Sequence, residues 1–178
     1  MKIGLIADYL DFQLVGLGNY AYNLILNLLK IDKKNEYIII HSRYSNVVST
    51  LCKNENVKEI IVPSTKLPGV RSIVSLPRVL RKEKFDIIHD LSGYWPPFLF
   101  KIDSKTVVTR HDLALFIFKH IYKDFQSQFL RITLPMILRK VDHIIADSNS
   151  TKNDIVRLLK IPKEKISVVY LAPGGEYK

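Results

Sequence analysis

Gly16-Leu17-Gly18-Asn19-Tyr20-Ala21 fits the pattern G-x-G-x-x-A at the head of a helical stretch. Glycines so placed let backbone N–H groups at a helix N-terminus approach a phosphate closely. An NAD fingerprint would follow its strand at once and would find an acid closing the second strand. Here residues 8–15 intervene, and the second apolar run closes with His41-Ser42-Arg43. Arg43 leaves NADP as one alternative, and a glycine turn that serves chain geometry alone is another. Proximity of Gly16, Leu17, Gly18 and Asn19 to a phosphate, without a dinucleotide, is the preferred reading.

The second candidate is His111 in Thr109-Arg110-His111-Asp112. Its imidazole can donate a hydrogen bond to a hydroxyl or help stabilise developing charge; the bland alternative is a ring that merely ends a strand. His89, followed by Asp90, carries a weaker signal of the same kind. His41, His89 and His111 with Asp90 or Asp112 have no metal-ligand spacing, and no metal is expected. Ser148 lacks a nucleophile-elbow context and, with Asn149, Ser150 and Thr151, reads as a helix cap whose N–H groups still point toward the same crevice. Tyr94-Trp95-Pro96-Pro97-Phe98 and Leu115-Phe116-Ile117-Phe118 are aromatic-rich. They pack long loops or, with Lys119 and Lys123 nearby, suit stacking on a ligand or a peripheral membrane contact.

What must position these residues is an alternation of short apolar runs with amphipathic stretches. The runs are 2–7, 37–40, 57–62, 85–89, 105–109, 143–146 and 166–170. Continuous β-branched runs of this length suit strands buried on both faces. The helical stretches are 17–31, 46–53, 73–83, about 121–141 and 151–159. Such an order predicts an α/β domain: a doubly wound, Rossmann-like parallel sheet of about seven strands with helices on both faces. Ligands of open α/β sheets bind outside the carboxyl ends of the strands. That edge collects Asp8, His41, His89, Asp90, His111, Asp112, Asp147 and Ser148, so three of the five histidines share it.

The net charge of +10 invites a nucleic-acid reading, but its distribution argues against one. Lys30, Lys33 and Lys34; Arg78, Arg81, Lys82 and Lys84; Arg139 and Lys140; and Lys160, Lys163 and Lys165 each close a helical pattern. Cations there meet the helix dipole and unpaired carbonyls, and they form a rim rather than a groove. No zinc-finger spacing or aromatic RNA-binding motif accompanies them. With a single cysteine, Cys52, no internal disulfide is available, and a cytoplasmic setting is expected. A mean hydropathy of +0.05 without a long apolar run excludes a spanning helix.

Several stretches together resemble the amino-terminal domain of GT-B glycosyltransferases of the large retaining family four. They are the glycine loop with Leu24 and Leu28 behind it, Phe85-Asp86-Ile87-Ile88-His89, and Val107-Val108-Thr109-Arg110-His111-Asp112-Leu113. Ile144-Ile145-Ala146-Asp147-Ser148 with Lys152, and Lys163-Glu164-Lys165-Ile166-Ser167-Val168-Val169-Tyr170, complete the set in the family's order. Two departures stand out. The family commonly has valine where Asp147 precedes Ser148, and the usual N-G-V-D-like linker is Leu171-Ala172-Pro173-Gly174-Gly175.

The resemblance implies one half of a GT-B architecture, with residues 1–171 as the acceptor-side domain and 172–178 as the start of an interdomain linker. The donor-binding carboxyl-terminal domain is expected to be absent, so the chain alone is expected to be inactive. The complete enzyme would move a sugar from a nucleotide-sugar donor to a carbohydrate or lipid-linked acceptor with retention, at the inner face of a membrane or free of it. Gly16 to Asn19 would lie near the donor diphosphate and His111 would contact the transferred sugar. Asp8, His89, Tyr94, Asp112 and Ser148 are the expected acceptor or sugar contacts. No cofactor is expected. A stand-alone nucleotide- or NADP-binding module and a non-catalytic interaction domain are the alternatives.

Overall fold

The computed structural model describes residues 1–12, 14–66, 70–93 and 102–173. Seven strands form one parallel sheet: β1 Lys2–Ile6, β2 Glu36–His41, β3 Val57–Ile61, β4 Ile87–Asp90, β5 Lys105–Arg110, β6 His143–Ala146 and β7 Ile166–Val168. Their spatial order is β3-β2-β1-β4-β5-β6-β7. Ile6 of β1 is registered with Ile40 of β2 on one side and with Asp90 of β4 on the other. The order therefore reverses between β1 and β4, which opens a crevice at their carboxyl ends.

Among the described residues six α-helices accompany the sheet: α1 Leu17–Ile31, α2 Asn46–Leu51, α3 Leu76–Glu83, α4 Ala114–Ile117, α5 Phe125–Lys140 and α6 Asn149–Leu159. The pleat of β2 shows why its run is continuously apolar. Tyr37 and Ile39 pack with Ala21, Ile25 and Leu29 of α1 and Val48 of α2. Ile38 and Ile40 point the other way, onto Leu76 and Leu80 of α3. Each strand residue thus has a helix to face, as doubly wound sheets require. A third cluster packs α5 and α6 on β5 and β6 through Leu134, Ile137, Leu138, Ile155 and Leu159.

The basic clusters do what their positions suggest. Lys33 Nζ donates to the Leu29 carbonyl at the end of α1. Arg139 Nη2 donates to the Leu159 carbonyl at 3.1 Å, and Lys165 Nζ to the Arg139 carbonyl at 2.6 Å. These cations satisfy carbonyls that helix ends leave unpaired. They lie at the amino edge of the sheet, away from the crevice.

Local chemistry sets the element boundaries. α5 begins at Phe125, four residues later than its apolar pattern suggests, because the Asp124 carboxylate caps it, accepting from Ser127 N–H at 2.9 Å. The residues before it turn tightly, with Ile121 N–H bonded to the Phe118 carbonyl. α6 begins earlier than expected because Ser148 is its cap, accepting from Thr151 N–H at 3.0 Å.

Candidate functional site

At the carboxyl edge a line of side chains runs from the interior toward the surface. His89, at the end of β4, is buried, and its Nε2 lies 2.8 Å from Thr109 Oγ1 on β5. Burial pushes the His89 pKa down to about 4, so the ring is neutral. The same Thr109 hydroxyl meets the Tyr20 phenol at 2.9 Å. Tyr20 belongs to the first turn of α1, where its N–H donates to the Gly16 carbonyl. Burial chiefly, and the Asp147 charge in addition, raise the Tyr20 pKa, so the phenol keeps its proton.

The Tyr20 ring stands edge-on to His111, with centroids 4.6 Å apart at 80°. His111 Nδ1 lies 3.2 Å from Asp147 Oδ2. When Nδ1–H donates to that carboxylate, Nε2 carries the lone pair of the neutral ring, or a second N–H in the cation. Nε2 is withdrawn from solvent and, among the described residues, has no hydrogen-bond partner. A buried polar atom left unsatisfied is unfavourable by about 1–3 kcal/mol, and a catalytic role is one reason for a protein to keep it. Thr151 Oγ1 lies within hydrogen-bond distance of both the His111 carbonyl (2.8 Å) and Asp147 Oδ1 (3.1 Å), which fastens the start of α6 to this edge.

The glycine loop reaches the same place. Gly16 is the cap of α1 with φ +48° and ψ −109°, a backbone state that glycine adopts without strain. Gly16 and Asn19 are exposed and Gly18 is buried. Tyr20, which follows Asn19 directly, links the loop to the imidazole through its ring contact with His111.

The other expected site residues are disposed differently. The Asp8 carboxylate is gripped by Arg71, Nη2 to Oδ1 at 2.6 Å and Nη1 to Oδ2 at 2.8 Å. Burial nevertheless raises its pKa, outweighing the pull of Arg71. Asp112 is exposed and accepts from Ala114 N–H at 2.9 Å, shaping the turn into α4. Ser148 is bound to Thr151 as the cap of α6. Tyr94, with Trp95 to Phe98, lies outside the described residues. The edge histidines have three separate partner sets, since His41 is buried between Asp11 at 2.6 Å and Glu59 at 3.2 Å. Among the described residues no group of three or more His, Cys, Asp or Glu is arranged to hold a metal. Arg43, which an NADP reading would need, donates through Nε and Nη2 to the Asp11 carbonyl and lies over the Phe12 ring.

Tyr20, Thr109 and Arg71 have no role legible in the sequence, and that of Asp147 is open there. Tyr20 and Thr109 lay inside motifs already singled out. Arg71 joins Asp8 across 63 positions, which no local pattern reveals.

A family model, Glycosyltransferase Family 4, matches residues 15–172. The chain belongs to this family. Anabaena Alr3699/HepE, solved in complex with UDP and glucose, shares the fold with TM-score 0.65 at 15% identity, over 97% of this chain and 45% of its own. A glycosyltransferase from Rickettsia africae ESF-5 gives 0.62 at 21% identity, over 99% and 44%. The apo lipopolysaccharide outer core galactosyltransferase WaaB gives 0.59 at 16%, over 97% and 46%. At these identities the likeness is one of fold. The family-four chain described here spans somewhat under half the length of each of the three structures. No curated protein matches it in sequence.

Proposed function

We propose that this domain forms the acceptor-side wall of a sugar-transfer site, in a glycosyltransferase that moves a sugar from a nucleotide-sugar donor with retention of configuration. The observation that carries the reading is His111 Nε2: among the described residues it has no partner, it is withdrawn from water, and the ring is held on its far side by Asp147. In this reading Nε2 meets a hydroxyl of the transferred sugar. Because Nε2 is withdrawn from water, the groups over it shift to admit that hydroxyl, and the contact once made stabilises the charge that develops in the transition state. Gly16 to Asn19 bring backbone N–H groups at the start of α1 toward the donor diphosphate, aided by the helix dipole.

His89 and Thr109 support rather than touch: a neutral imidazole holds the hydroxyl that holds Tyr20. Asp8, Asp112 and Ser148 border the acceptor. A second domain would grip the nucleotide and close over the edge, excluding water and limiting donor hydrolysis. No metal enters this scheme, and the acceptor is a carbohydrate or a lipid-linked sugar. The half-cleft alone makes too few desolvated contacts to offset the freedom a donor loses on binding, so the 178-residue chain is inactive by itself. Nucleotide release from a panel of sugar nucleotides, measured on this chain alone and joined to a donor-binding half, tests the proposal. The anomeric configuration of any product, read by NMR, tests retention. Turnover by the chain alone would overturn the two-wall reading.

A further inference from the structure

We propose that the exposed face of α5, with the turn before it, docks on an anionic lipid surface. α5 is apolar on two opposite sides. One side, with Leu134, Ile137 and Leu138, belongs to the core. The other carries Phe125, Phe129, Ile132 and Met136 at spacing i, i+4, i+7, i+11, all exposed: Phe125 by 85%, Ile132 by 69% and Phe129 by 53%. At 100° per residue these four positions fall within about 60° of arc, a single stripe. The preceding turn adds Phe118, Ile121 and Tyr122, also exposed. Exposed apolar side chains scattered singly need no explanation, but a continuous run of large ones marks a surface that something covers.

Charge decides what covers it. Lys119, His120 and Lys123 stand exposed in the same turn. The acid beside them, Asp124, is occupied as the cap of α5. Aromatic and aliphatic anchors flanked by cations fit an interface where apolar groups enter the headgroup boundary and cations meet anionic headgroups. A second copy fits less well, because a two-fold contact sets like patches together and would oppose the lysines of both chains. A domain closing over the carboxyl edge fits less well too. α5 leaves that edge and runs down the flank, so the stripe extends roughly 17 Å from Phe125 to Met136, away from the crevice. Among the described residues no helix is long and apolar enough to cross a membrane, so the contact is peripheral. The docking surface stands on the stripe and its charges alone; only its link to a lipid-linked acceptor rests on the transfer reading.

Co-sedimentation of the 178-residue chain with vesicles tests it, using phosphatidylcholine alone and phosphatidylcholine containing phosphatidylglycerol. The chain should bind the anionic vesicles preferentially. Binding should weaken as salt rises from ~0.1 M to ~1 M, which shortens the screening length from about 10 Å to about 3 Å. Phe125→Ser with Phe129→Ser should reduce the partition coefficient at least about tenfold, as expected from two apolar anchors lost. Ile132→Gln with Met136→Gln serves as a second pair should the first fail to fold, with circular dichroism as the check. Lys119→Gln with Lys123→Gln should remove most of the preference for anionic vesicles. The proposal is overturned by absence of vesicle binding, or by binding that both apolar pairs leave unchanged. It is equally overturned if the chain is a dimer that the apolar substitutions dissociate, or if a longer chain carrying a second domain no longer binds.

Discussion

The Tyr20 and His111 rings stand at 80° with centroids 4.6 Å apart, and the Tyr20 hydroxyl reaches past them to Thr109. One side chain thus ties the helix opened by the glycine loop to both β5 and the imidazole at its end. The link can be separated into ring and hydroxyl. Tyr20→Phe should lower stability by about 1 kcal/mol, the net worth of one hydrogen bond. Tyr20→Ala should cost roughly 2–4 kcal/mol, because the ring contact and its packing go as well. Urea unfolding of the two variants measures the difference; equal losses would mean that the ring carries nothing.

His89 makes stability depend on pH. Its folded pKa of about 4 lies below the ordinary 6.5 because burial disfavours the charged ring. Between those values the unfolded chain binds more protons than the folded one, so stability rises with pH across this window. The contribution is complete above about pH 6.5 and is lost as pH falls toward 4. At pH 5 the loss should be about 2 kcal/mol relative to pH 7. Thermal melts at the two pH values show it. His89→Gln should flatten this part of the profile, and an unchanged slope would assign the effect to other groups.

Two glycines with positive φ should differ in what they tolerate. At Gly16, φ is +48° and an added Cβ meets nothing within 4 Å among the described residues. Gly16→Ala should therefore cost only backbone strain, about 1–2 kcal/mol. At Gly93, φ is +71° and a Cβ would lie 2.8 Å from the Thr109 carbonyl, part of the β5 backbone. Gly93→Ala combines strain with a clash that backbone cannot easily relieve, so about 3 kcal/mol or more is expected. Urea midpoints that ranked Gly16→Ala as the more harmful would contradict both local geometries.

The fold was legible because its determinants are local. The apolar runs of the central strands fit between two helix layers, whereas β3 at the sheet edge is largely exposed, and basic clusters mark helix ends, as Lys33 on Leu29 and Lys165 on Arg139 illustrate. The α5 stripe was not. Residues 121–141 carry apolar residues on two sides, and periodicity alone does not say which side meets the core. Of the site, the glycine loop and His111 could be read from their positions after strands. The grip of Arg71 on Asp8 and that of Asp147 on His111 depend on loops meeting in space. Asp147 could only be flagged as a departure from a family pattern, until Nδ1 was found 3.2 Å away.

That pairing yields the prediction that bears most directly on function. If His111 Nε2 meets the transferred sugar, His111→Ala should lower kcat/KM for transfer about 10²-fold or more, as removal of one charge-stabilising contact does. Stability should fall by about 1–2 kcal/mol, because the Asp147 hydrogen bond and the Tyr20 ring contact go with the imidazole while removal of the unsatisfied Nε2 offsets part of the loss. Asp147 acts through the histidine, by holding the Nδ1 proton and with it the orientation of Nε2. Asp147→Val, which installs the residue common in the family, should cost about tenfold in an enzyme whose His111 is intact. In the His111→Ala background the same change should cost almost nothing, because residues acting as a unit are not additive. Steady-state transfer assays on the four enzymes, in a chain joined to a donor-binding half, complete the cycle. Additive losses would separate Asp147 from His111, and full activity of His111→Ala would reject the imidazole as the sugar contact.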